Sequence, residues 1–160
     1  MTLENILESI WTRGLGTVTA PTAGARTSLE RAGLHVTDPE RITDCPVLRA
    51  AGWPLRVLEG FRKGRYVSSA LYHENDYELI TTIEMVLPPF TCVLHRGIPR
   101  MVKSPVKLPL EPLSRMGNAV IVSDGAFLFS RKTYPGRRQG DMISRQLEEV
   151  TYLEELAAAL

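Results

Sequence analysis

Leu3, Ile6, Leu7, Ile10 and Trp11 recur at i, i+3, i+4, i+7 and i+8, the spacing that gathers apolar side chains on one helix face, with Thr2 placed to cap and Gly14 to stop. A second stripe, Ile143, Leu147, Val150, Leu153, Ala157 and Leu160, predicts a helix over 142–160 with Asp141 as its N-cap and Gly140 as the break before it. Between the first stripe and the next signal, residues 15–26 are small and turn-forming without periodicity, the composition of a connector. Residues 1–14 are therefore expected as a helical arm, tethered or folded back on its own domain. Thr27-Ser28-Leu29-Glu30 is a capping box before a short helix that Gly33 ends; Asp38-Pro39-Glu40 and Asp44-Cys45-Pro46 open two more, the last running to Gly52. No segment from 27 to 52 presents a basic recognition helix, so this region reads as packing rather than helix-turn-helix.

From Tyr66 the period changes. Residues 65–73 and 77–87, rich in Val, Tyr, Ile and Thr, flank Glu74-Asn75-Asp76 as a hairpin. Phe90–His95 and Ile98–Lys103 form another about Arg96-Gly97, and Pro99, which cannot donate to a ladder, assigns its strand to a sheet edge. Ser104 to Ser114, with Pro105, Pro109 and Pro112, reads as extended and irregular. Asp124-Gly125, between Ala119–Val122 and Ala126–Phe129, predicts a type I′ turn. The fold class that follows is α+β: an antiparallel, curved sheet with hairpins in residues 65–103 and 118–132, short N-terminal helices and a long C-terminal one, within a single domain over 1–160.

Composition changes this picture little: 44% hydrophobic and 23% charged is ordinary for a globular chain. Apolar runs such as Ala119–Val122 fall far short of a bilayer span, so integral membrane association is not expected. The start lacks the basic segment and continuous apolar run of a secretory leader, and Cys45 and Cys92 fit no CxxC pattern; reduced thiols in a cytoplasmic protein are the expectation.

Charge changes it more. The net charge is +1, yet residues 89–139 hold nine basic residues against only Glu111 and Asp124, a net +7. Such a block raises a local positive potential and favours anionic partners within about a Debye length. Its members Arg96, Arg100, Arg131, Lys132, Arg137 and Arg138, with the glycine-bounded turn containing Arg62, Lys63 and Arg65, are candidates for anion or nucleic-acid binding along one stripe of loop tips. Tyr66 and Tyr134, with Phe61 nearby, are candidates for stacking on bases. The loop Tyr134–Gly140 carries two glycines and two arginines before a helix start, but lacks the Gly-Lys-Ser/Thr ending of a Walker loop.

Other chemistry is thinner. Cys92 and His95, three apart on one predicted strand, point to opposite faces and make no dyad, so Cys92 reads as core. Cys45 at a helix start has no accompanying base motif. His35, His73 and His95 have no paired ligand spacing, so neither a metal nor a cofactor is expected. Glu148, Glu149, Glu154 and Glu155 read as a solvated helix face. The residues favour a non-enzymatic binding or assembly protein whose basic loops meet an anionic partner, RNA or DNA first, with terminal helices available for a homo-oligomer or a protein partner. Two other classes stay open: a small enzyme holding an anionic metabolite, and an adaptor or chaperone for one protein. A metabolite pocket needs basic groups that converge, whereas a polymer surface needs them spread and exposed.

Overall fold

The computed structural model describes residues 29–37, 54–73, 76–135 and 142–160. Outside them lie the 1–14 helix, its connector, the Thr27-Ser28 cap, the helix starts at 38 and 44 with Cys45, Glu74-Asn75, and the loop carrying Arg137 and Arg138 with the Asp141 cap.

Eight strands form one antiparallel sheet: β1 (Leu34–Thr37), β2 (Arg56–Arg62), β3 (Arg65–His73), β4 (Tyr77–Glu84), β5 (Phe90–His95), β6 (Ile98–Lys103), β7 (Ala119–Ser123) and β8 (Phe127–Tyr134). Their spatial order is β1-β2-β3-β4-β8-β7-β5-β6, so a four-strand meander joins a second group through the β4–β8 pair, and β1 and β6 are the outermost of the described strands. The Pro99 strand is an edge, as its missing donor requires. Among the described residues two helices accompany the sheet, α1 (Leu110–Ser114) and α2 (Met142–Ala159), besides a helical turn at 29–31.

α2 packs on the strand centre. Its Ile143, Val150, Leu153, Leu156 and Ala157 meet Leu58, Val67, Ile83, Cys92, Ile121 and Leu128 in the main core, joined by Leu113 and Met116 from α1 and its exit. The register accounts for the shared face: Leu58 opposes Ser69, Ser69 opposes Thr81, Thr81 opposes Ser130, and alternation brings the apolar neighbours of each to the same side. The C-terminal stripe is thus used by the molecule's own sheet.

Several elements depart from the sequence pattern. β1 follows directly from the helical turn at residues 29–31, where Gly33 takes φ 72° as the expected stop. β2 runs through Gly60, which had looked like the boundary of a basic turn; a Cβ there would collide with the Gly33 carbonyl, so the glycine permits β1 to close on β2. Residues 110–114 are helical rather than extended. Pro112 lies in the first turn of α1, where no amide has an intrahelical acceptor, so its missing N–H costs nothing there. The Asp124-Gly125 turn joins β7 to β8 as expected but is not type I′: only Gly125 has positive φ (100°), and the Asp124 carboxylate accepts from the amides of Ala126 (2.9 Å) and Phe127 (2.7 Å).

Candidate functional site

Two hairpin tips carry four of the exposed basic residues. β2 and β3 turn through Lys63-Gly64 (φ 53° and 77°), and β5 and β6 through Arg96-Gly97 (φ 51° and 74°). Positive φ at both central residues is the type I′ geometry, whose twist matches that of flanking strands and which ordinarily selects Asn, Asp or Gly. Lys63 and Arg96 are the only non-glycine residues with positive φ among the described residues, and both are exposed cations. Neither makes an ion pair with a described residue, and the same is true of exposed Arg65 and Arg100. The Arg96 tip is braced from below. Its amide donates to Asn118 Oδ1 at 2.7 Å, Gly97 donates to the Gly117 carbonyl at 2.8 Å, and Gly97 is buried against the Ser114 backbone.

The tips do not form one stripe. β3 runs from Arg65 to His73 beside β4 running back to Glu84, and β4 pairs Glu84 with Phe127 and Tyr77 with Tyr134. Lys63 therefore shares an end of the sheet with the Asp124 turn. Since β5 pairs Leu94 with Ala119 at the start of β7, the Arg96 tip lies at the other end, with His73, Tyr77 and Tyr134. The ends are about 25 Å apart along the strands.

The other described basic candidates, Arg62, Arg131 and Lys132, are engaged within the molecule. Arg62 reaches back to Glu154 of α2 at 2.9 Å, an ion pair at an angle outside hydrogen-bond geometry. Arg131 places both Nε and a terminal nitrogen 2.7 Å from Glu78 Oε1. Lys132 points under α2, with its ammonium 2.6 Å from Glu149 Oε1 and 5.8 and 5.9 Å from the rings of Tyr134 and Tyr152. An ammonium so enclosed is not offered to an external phosphate. Tyr134 likewise donates its hydroxyl to Glu149 at 2.9 Å, with the Arg145 guanidinium 5.8 Å over its ring, so it is a partner of this network rather than an open stacking platform.

Glu149 is the centre of that network and is 1% exposed, a correction to the solvated face expected of the helix carboxylates; Glu154 is also largely covered, whereas Glu148 and Glu155 remain accessible. Beside it, buried Arg56 donates from Nε to Gln146 Oε1, and Gln146 donates to the Ser69 carbonyl, both at 2.7 Å. The phenol of Tyr134 is pushed far above its ordinary value by burial first, then by the charge of Glu149 and the hydrogen bond to it. Tyr152 is raised by its hydrogen bond to Glu148, and Tyr77, its ring 4.6 Å from that of His73, by burial. Arg56, Gln146 and Glu149 carry no motif, yet a signal was present: Gln146 lies three after Ile143 and four before Val150, on the apolar face.

Cys92 is fully buried, and burial raises its thiol, which keeps it protonated and unreactive. His35 and His95 stand exposed on β1 and β5, away from His73, and no three His, Cys, Asp or Glu side chains among the described residues are grouped to hold a metal ion. No helix among the described residues is long and apolar enough to cross a membrane. Comparisons of the chain with protein-family models, with curated proteins and with solved structures found no match in any of the three.

Proposed function

We propose that this is a non-enzymatic binding protein that meets an anionic polymer, nucleic acid first, through its basic hairpin tips. The observation that carries the reading is the backbone at Lys63 and Arg96: two cations occupy exposed left-handed turn positions, each at a cost of about 1 kcal/mol that Asn or Gly would reduce. Strain held at a surface position is a pointer to use of the side chain rather than to stability. The placement of these cations also suits a polymer better than a metabolite. Lys63 and Arg65 at one end, and Arg96 and Arg100 toward the other, are spread and exposed, whereas the covered basic groups Arg56 and Lys132 are bound to Gln146 and Glu149.

The experiment is charge reversal at each tip, Lys63→Glu with Arg65→Glu and Arg96→Glu with Arg100→Glu, assayed for binding of single-stranded RNA and duplex DNA at low salt. Each pair should weaken binding at least about tenfold, because every lost phosphate contact also loses its counterion release. Wild-type protein that binds neither polymer contradicts the proposal.

A further inference from the structure

The two tips differ in what lies beside them. On the sheet face away from α2, Phe61 of β2, Tyr66 of β3 and Phe127 of β8 form a row, with ring centroids 6.0 Å apart for the first pair and 6.5 Å for the second, each edge to face. The register dictates the row. Phe61 opposes Tyr66, Val67 opposes Ile83 so that Tyr66 comes level with Glu84, and Glu84 opposes Phe127. Phe61 is 72% exposed, and Tyr66 and Phe127 are partly exposed. Tyr66 donates its hydroxyl to Glu59 Oε2, and the other oxygen of Glu59 accepts from Thr37, both at 2.7 Å, so the ring is pinned in place. The turn at the end of this row is the one bearing Lys63 and Arg65.

We infer that this row is a stacking surface for an unpaired strand of nucleic acid, with bases on Phe61, Tyr66 and Phe127 and phosphates toward Lys63 and Arg65; the inference rests on the nucleic-acid reading above. Aromatic faces bordered by cations take single strands without regard to sequence, because every base has a π-face, whereas a duplex keeps its bases stacked on one another and offers the rings none. Glu84, exposed between Tyr66 and Phe127, repels phosphate from the middle of the row and leaves the cationic turn as the side where the backbone runs. The Arg96 tip has Ser114 and Asn118 beside it instead, and serves as a phosphate contact alone.

The test compares a short mixed-sequence RNA, the DNA of the same sequence and the corresponding DNA duplex, by fluorescence anisotropy, for the wild type, Phe61→Ala, Phe61→Leu and Phe61→Tyr. Phe61 is exposed enough that all variants should melt with the wild type. Single strands should bind more tightly than duplex, and Phe61→Ala and Phe61→Leu should lose roughly fivefold or more for single strands with no change for duplex, while Phe61→Tyr retains binding. The salt slope should be the same in Phe61→Ala as in wild type, since no phosphate contact is removed. Equal affinity for duplex and single strand, or salt-dependent binding indifferent to Phe61→Ala, overturns the stacking surface and leaves the charge reading standing. Absence of binding to all three probes overturns both.

Discussion

Lys63 and Arg96 are matched by the glycines that follow them, but the two glycines are constrained differently. A side chain at Gly64 would meet nothing within 4 Å, so only its φ of 77° opposes substitution; one at Gly97 would stand 2.6 Å from the Ser114 backbone as well. Gly64→Ala should therefore cost about 1 kcal/mol, and Gly97→Ala about 3 kcal/mol or more, because α1 must shift to admit it. Urea unfolding of the two variants checks the order, and equal losses would mean that Gly97 does not pack on α1. A second residue carries a pH dependence. The folded chain holds the Tyr134 phenol above its ordinary value of 10.0, so above about pH 10 the folded state keeps a proton that the unfolded state releases. Stability should be full below that pH and fall as pH rises through it. Tyr134→Phe should flatten the fall between pH 9 and 11, with Tyr77 and Tyr152, raised in the same sense, leaving a residual slope. Identical slopes in the two proteins would place Tyr134 outside the buried network.

α2 is held to the sheet by polar as well as apolar contacts, and the two act differently. Lys132 and Glu149 are an enclosed pair, with side chains 16% and 2% exposed. Lys132→Met should destabilise by about 3 kcal/mol or more by leaving the carboxylate uncompensated, while Lys132→Met with Glu149→Leu should recover most of that loss. Thermal melts of the two variants decide it; a double variant no better than the single one would show that the pair is not coupled. How much of this was legible in the sequence varies by element. β5 and β6 were readable to the residue because the alternation of 90–95 and the run Ile98–Lys103 flank Arg96-Gly97, and α2 was readable from its stripe. β1 has only four residues, and β2 contains a glycine whose reason is a contact with Gly33, twenty-seven positions earlier in the chain. α1 was hidden by prolines that suit a helix start as well as an extended run. Glu149 was hidden because its partner Lys132 belongs to another element, and only the β4–β8 pairing brings β8 under the helix.

Across the whole molecule the sheet separates two kinds of charge. On the α2 side, Arg56 donates to Gln146 and Lys132 to Glu149, and these contacts tie the helix to the sheet. At the strand ends, Lys63, Arg65, Arg96 and Arg100 face outward. Among the described residues these cations form two separate patches rather than the single stripe expected, and a ligand touching both must be long. A polymer meets that demand, and its binding free energy must carry the signature of released counterions. The most direct test is the slope of log affinity against log salt for single-stranded RNA, measured for the wild type and for each charge-reversed tip. The account predicts a steep fall with salt in the wild type and a shallower one in Lys63→Glu with Arg65→Glu and in Arg96→Glu with Arg100→Glu. A slope that is flat, or that neither reversal changes, would contradict it.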